Sequence, residues 1–168
     1  VMVTGGEPML RKDIVDIIKQ IKSASFFTYT GIITKGDMLN IDKAKELYDA
    51  GIDQIAISLD FLGDRHSKNR GVNGLWNHIS NLIPEISTKL KKTISINTII
   101  MDENLDQMID MAKQAKDWGA NISYSSYSVM KANNEEHFVK EQIQKVEDVT
   151  NELIRLKKEW GDTIVSSD

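Results

Sequence analysis

The spacing of apolar residues along this chain changes repeatedly, and each change marks an element. Residues 1–4 form a short apolar run. Ile14, Ile17, Ile18 and Ile21 then recur at i, i+3, i+4 and i+7, which predicts an amphipathic helix over 11–22. Residues 26–34 are rich in aromatic and β-branched types and read as a strand. Ile41, Ala44, Leu47 and Tyr48 mark the next helix, closed by Gly51 just past its end. A strand over 54–59 follows. Trp76, Ile79, Leu82, Ile83 and Ile86 mark a third helix, and Pro84, which lacks an N–H, predicts a kink or split in it. The pattern continues with a strand over 93–101 and a helix through Leu105, Met108, Ile109, Ala112 and Ala115, stopped at Gly119. Then come a strand over 121–127 and a long helix through Ile143, Val146, Val149, Leu153, Leu156 and Trp160, stopped at Gly161. Residues 163–165 read as the start of one more strand.

Strands and helices therefore alternate, which predicts an α/β fold with parallel strands and right-handed crossovers. Five or six strands fall short of the eight of a closed barrel. The architecture is an open doubly wound sheet or a partial barrel. In both, ligands sit at the carboxyl ends of the strands. No low-complexity stretch or linker interrupts residues 1–168, so they read as a single domain. The lysines of 89–92 read as a solvated loop. Val1 opens inside an apolar run without a lead-in, which predicts a fragment or an incomplete domain.

Composition narrows the chemistry. The 168 residues carry a formal net charge of −4, which gives no electrostatic reason to expect nucleic acid or an acidic membrane as partner. No apolar run approaches the roughly 20 residues that span a bilayer. The first residues do not resemble a signal peptide, so a cytoplasmic location is expected. There is no cysteine, which excludes disulfides and thiolate-bound metals within these residues. His66, His78 and His137 are scattered without ligand spacing.

Candidate chemistry gathers after the strands. Thr4-Gly5-Gly6-Glu7-Pro8 follows the first strand. Two glycines let the backbone approach a ligand, and Glu7 or main-chain carbonyls accept from an ammonium group; a tight turn stiffened by Pro8 is the plainer reading. Ser58 and Asp60 end the third strand on one face, a hydroxyl and a carboxylate suited to a ribose or, more plainly, to capping a loop. His66-Ser67-Lys68-Asn69-Arg70-Gly71 reads as a charged loop in which Arg70 can hold a carboxylate with its guanidinium fork. Asn97 is a polar residue in an isoleucine-rich strand, either a ligand contact or a satisfied core amide. Thr34, Lys35 and Gly36 end the second strand.

Gly-Gly-Glu-Pro after a strand, Ser-Leu-Asp ending another, His-x-x-x-Arg-Gly, and a strand leading to Asp102-Glu103-Asn104, in that order over about residues 1–130, resemble the radical S-adenosylmethionine (radical SAM) superfamily. The resemblance is strongest to the branch whose members often carry extra cluster-binding cysteines in a C-terminal extension. It implies a partial (β/α)6 TIM-like barrel, here without the first βα unit, which in the family carries the Cys-x-x-x-Cys-x-x-Cys loop. It implies S-adenosylmethionine (SAM) and a [4Fe–4S] cluster as cofactors, with the cluster cysteines upstream of Val1. It further implies a flavodoxin- or ferredoxin-type electron donor and a small-molecule or peptide substrate. By the same resemblance, Gly5, Gly6 and Glu7 meet the methionine amino group, Pro8 and Thr34 belong to the same cofactor-binding set, Ser58 and Asp60 face the ribose, Arg70 lies near the carboxylate, and Asn97 lines the site. In the family the cluster reduces SAM, and a 5′-deoxyadenosyl radical removes hydrogen from substrate. These 168 residues alone are therefore expected to be inactive. Phe61, Ser67 and Lys35 depart from the family's usual glycine, aspartate and asparagine. Two other expectations stand beside this one. Lys35 just past a strand end suits a Schiff-base lyase, and a cluster-free barrel suits a binding protein for a nucleotide or a partner, with the helix at 138–160 as a docking face.

Overall fold

Successive strands of the chain are also neighbours in the sheet. The computed structural model describes residues 1–24, 26, 29–128, 137, 139 and 142–165. Strands β1 (Met2–Val3), β2 (Gly31–Thr34), β3 (Gln54–Ser58), β4 (Ser95–Ile100) and β5 (Asn121–Ser126) form one parallel sheet in the order β1-β2-β3-β4-β5. Right-handed crossovers with a monotonic strand order put the intervening helices on one face. That is the arrangement of a barrel segment, and it decides against the doubly wound alternative, whose order reverses at a switch point. Ile164 adds a single parallel bridge to Ile122, where a further strand was expected over 163–165.

Register divides the strand residues into two rows. Ile32, Ile55, Ile57, Ile96 and Ile122 fall on the helix-covered face, and each is fully buried. They pack with Ile14 and Ile18 of α1 (Ile14–Ser23), Ala44 and Leu47 of α2 (Ile41–Asp49), and Ile79 and Ile83 of α4 (Leu75–Glu85). Met108, Met111, Ala112 and Ala115 of α5 (Met108–Asp117), and Val149, Leu153 and Leu156 of α6 (Ile143–Trp160), complete this core. The other row, on the open face, reads Gln54, Ser95, Ser58, Asn97, Asn121, Ser123 and Ser125, with Met2 and Ile99 exposed.

Five expectations are corrected. The second strand begins at Gly31 rather than 26, because Phe26 lies in a turn and Thr30 bonds Asp53 with both its N–H and its carbonyl, ahead of the strand ladder; residues 25, 27 and 28 are outside the described set. Residues 64–70 form a short helix, α3 (Asp64–Arg70), rather than a loop; it starts after Gly63 and ends at Gly71 with φ +64°. Pro84 does not split its helix. It falls in the last turn of α4, and the chain widens into one π-helical turn over Ile86–Leu90, with Thr88 Oγ1 donating to the Pro84 carbonyl at 2.8 Å. That turn also takes in Lys89 and Leu90, so only Lys91 and Lys92 of the expected lysine loop lie outside helix. The last helix starts at Ile143; residues 138, 140 and 141 of its expected beginning lie outside the described residues.

Candidate functional site

The strand ends carry the motif residues, and the structure sorts them by what their polar atoms already hold. At the end of β1, Gly5 has φ +140°, a conformation that side chains rarely adopt. Gly6 does not need to be glycine for backbone reasons, and a Cβ added there meets nothing within 4 Å. The space above Gly5 and Gly6 is open. Glu7 is the reverse. Its Oε1 accepts from Thr34 Oγ1 at 2.6 Å and from the Met9 N–H at 3.1 Å, and its Oε2 accepts from the Lys35 N–H at 2.8 Å. This carboxylate ties the end of β1 to the end of β2 and caps the 3₁₀ turn Pro8–Leu10. Pro8 is buried at the first position of that turn. Thr34 is buried, and its hydroxyl also accepts from the Gly36 N–H at 3.0 Å. Glu7 and Thr34 thus face each other and leave the Gly5–Gly6 backbone as the free surface of this corner.

A second corner lies at the ends of β3 and β4. Asp60 is buried at 4% exposure. Its Oδ1 accepts from the Ile99 N–H at 3.1 Å, and its Oδ2 pairs with Arg70 Nη2. Asn104, fully buried, donates to the carbonyls of Asp60 and Ile99 at 2.8 Å each and accepts from the Met101 N–H at 2.8 Å. Asp60 is therefore occupied by the fold. Arg70 is not used up: with one edge on Asp60, its buried Nε has no hydrogen-bond partner among the described residues. His66, one turn earlier on α3, is fully buried with both ring nitrogens unpartnered among the described residues. Burial, and then the charge of Arg70, push its pKa down to about 4.

Ser58 and Asn97 lie side by side on the open face, paired in register. The next position in that row is Ser123, whose hydroxyl donates to Asn97 Oδ1 at 2.9 Å. Ser123 was not singled out from the sequence. Its signal was present in the alternation of Asn121, Ser123 and Ser125 along a strand whose other face carries Ile122 and Tyr124. The sequence-predicted residues thus come together at one end of the sheet in two roles. Gly5, Gly6, Ser58, Arg70 and Asn97 present free atoms or open space, whereas Glu7, Pro8, Thr34 and Asp60 hold them in place.

Lys35 does not fit a Schiff-base role. Its Nζ pairs with Asp37 at 2.8 Å, and that hydrogen bond raises its pKa. A nucleophilic lysine needs the opposite shift.

Comparison with known proteins places this geometry. The sequence matches the Radical SAM superfamily profile over residues 1–115. It is similar to the GTP 3′,8-cyclase of Limosilactobacillus fermentum, with 34% identity over 128 residues covering 76% of this chain and 38% of that protein. It is also similar to the GTP 3′,8-cyclase of Lactiplantibacillus plantarum, with 35% identity over 133 residues and the same two coverages. The chain thus spans 38% of the length of these relatives. The fold is similar to Streptococcus suis SuiB, with TM-score 0.78 and 15% identity over 99% of this chain and 38% of SuiB. It is similar as well to TYW1 with a lysine–pyruvate adduct bound, with TM-score 0.69 and 20% identity over 92% of this chain and 49% of TYW1. With the profile matching from the Gly-Gly-Glu-Pro corner through α5 and the strands ordered as in a partial barrel, the chain belongs to the radical SAM superfamily.

Proposed function

We propose that this chain is the SAM-binding part of a radical SAM enzyme. The observation that carries the reading is the pairing of open space at Gly6 with the partly exposed guanidinium of Arg70, held by one edge on Asp60, at one end of a polar sheet face. The fold leaves both accessible, and an amino-acid ligand uses both. In the proposed arrangement the carbonyls of the Gly5–Gly6 corner accept from the SAM ammonium, and the exposed part of the Arg70 guanidinium donates to its carboxylate. Ser58 and Asn97 offer a hydroxyl and an amide to the nucleoside. Glu7, Thr34 and Asp60 act as positioning residues, because their oxygens are held by backbone and side-chain donors. In this family SAM supplies, after reductive cleavage, the means of removing a hydrogen atom from substrate.

The residues fit SAM and do not fit the iron–sulfur cluster. The 168 residues contain no cysteine, and among the described residues no group of three or more His, Asp or Glu is placed to hold a metal ion. Thiolates for the cluster would come from outside this segment, and a flavodoxin- or ferredoxin-type donor would supply the electron. A cytoplasmic location goes with this reading; no helix among the described residues is long and apolar enough to cross a membrane. The curated relatives' name includes GTP, and SuiB has been solved bound to its precursor peptide SuiA. A small molecule or a peptide therefore remains the substrate class of this reading.

Gly6→Ala tests it. In the intact protein the added methyl meets no protein atom, so the melting temperature stays within about a degree while SAM affinity falls about tenfold, roughly 1.4 kcal/mol. Unchanged SAM affinity in that variant would sink the reading. The 168-residue segment by itself, reconstituted anaerobically with iron and sulfide, is expected to show no cluster absorption and to form no 5′-deoxyadenosine from SAM.

A further inference from the structure

One cavity on the same rim is not explained by the SAM corner. It lies between α3 and the loop after β4, with a volume of about 260 Å³, a little under the usual range for ligand sites and so suited to a small ligand. Arg65, Lys68 and Asn69 of α3 line it from one side, at the i, i+3, i+4 spacing of one helix face. Phe61 and Met101 supply apolar surface, and the β4 loop supplies Glu103. The cavity lies at the carboxyl ends of β3 and β4, the end at which barrel enzymes bind their substrates.

Its charged groups are incompletely used. The Arg65 guanidinium lies over the Phe61 ring at 4.3 Å from the centroid, and among the described residues it has no carboxylate partner. Among the described residues Lys68 reaches only Asp64, at 3.6 Å, with both side chains mostly in solvent, so that contact is worth little. On the Glu103 side, Oε1 is held by His137 Nδ1, whereas Oε2 is buried with no hydrogen-bond partner among the described residues. A simple anion would satisfy Arg65 and Lys68 but would share the cavity with the Glu103 carboxylate. A simple cation would satisfy Glu103 and be repelled by the two basic residues. A ligand carrying both charges satisfies every group.

We propose that this cavity is a recognition pocket for the ammonium–carboxylate group of an α-amino acid, with the ammonium on the Glu103 carboxylate and the carboxylate on Arg65 and Lys68. The Phe61 and Met101 surface selects an apolar side chain. The assignment deepens the radical SAM reading by naming a substrate class for the same rim, and its role as the substrate pocket rests on that reading. Helix α3 then serves two ligands, since Arg70 lies against Asp60 at the SAM corner and Arg65 lines the second pocket.

Titration of the intact protein, saturated with SAM, with L-leucine tests it by calorimetry. N-acetyl-L-leucine, L-leucinamide and inorganic phosphate are the comparison probes. L-leucine is expected to bind saturably. The two blocked forms are expected to bind about tenfold more weakly or worse, and Arg65→Ala and Glu103→Gln each to weaken L-leucine by about tenfold. Phosphate binding as tightly as L-leucine, with no effect of Glu103→Gln, would show a plain anion site and overturn the proposal. Absence of saturable L-leucine binding would overturn it as well. The same titration without SAM separates the two readings: L-leucine binding in a protein that fails to bind SAM supports the pocket while sinking the SAM assignment.

Discussion

The two faces of the sheet are made by the same strands and do opposite work. On the helix-covered face, Ile32, Ile55, Ile57, Ile96 and Ile122 are fully buried in one continuous core. On the open face, one residue away along each strand, stand Ser58, Asn97, Ser123 and Ser125. Burial of an isoleucine contributes about 1.5–3 kcal/mol. A half-buried serine or asparagine that is hydrogen-bonded in either state contributes little. The first face sets whether the chain folds, and the second sets what the folded chain can touch.

The sharpest way to break this contrast is to cut neighbouring residues of β4. Ile96→Ala is expected to cost about 3 kcal/mol by loss of buried surface and creation of a cavity. Asn97→Ala, one position along, is expected to cost under about 1 kcal/mol while lowering SAM affinity. Urea denaturation of both variants checks the difference, and equal losses would mean the open face is also core.

The next largest effect concerns His66, a buried polar group with no hydrogen-bond partner among the described residues. Its pKa of about 4 in the folded chain lies below the roughly 6.5 of an unfolded histidine. Below pH 6.5 the unfolded state therefore takes up the proton first. Stability is unaffected above pH 6.5 and falls as pH drops toward 4, by at most about 3 kcal/mol. His66→Phe is expected to flatten that acid limb, as measured by unfolding at pH 7, 5.5 and 4.5; an unchanged limb would show that His66 does not titrate across this window.

The smallest effect concerns Ser67. Its Oγ accepts from the Trp76 N–H at 3.0 Å, in the first turn of α4. Ser67→Ala is expected to lose about 1 kcal/mol, as for other helix caps, with SAM affinity unchanged.

Much of this architecture was readable in advance because its core obeys simple periods. The isoleucines of α1 and the repeats of α2, α4, α5 and α6 located every long helix, and the strand-rich runs located all five strands. Helix α3 was not readable. Its sequence, Asp-Arg-His-Ser-Lys-Asn-Arg, has no apolar repeat, and its bounds come from Gly63 and Gly71. The positions of the site residues at one end of the sheet followed from strand order alone. Their partners did not. Nothing in the string Gly-Gly-Glu-Pro says that the Glu7 oxygens are filled by Thr34 and by the N–H groups of Met9 and Lys35, and nothing in Ser-Leu-Asp says that Asp60 reaches across to Ile99. Hydrogen-bond saturation depends on distances between residues dozens of positions apart, which periodicity does not carry.

The strand order has a consequence for how the chain is made. Each strand pairs with the one synthesised just before it, so no strand waits for a later one to be inserted beside it. In a doubly wound sheet the order reverses, and an early strand gains its second neighbour only after a long detour. Here the sheet can grow in the direction of translation, one βα unit at a time, with each pairing spanning a single crossover. Parallel pairing across whole crossovers is slow, so the gain lies in the order of assembly: the growing edge is covered by the next strand soon after it emerges, which shortens the time it can pair with another chain.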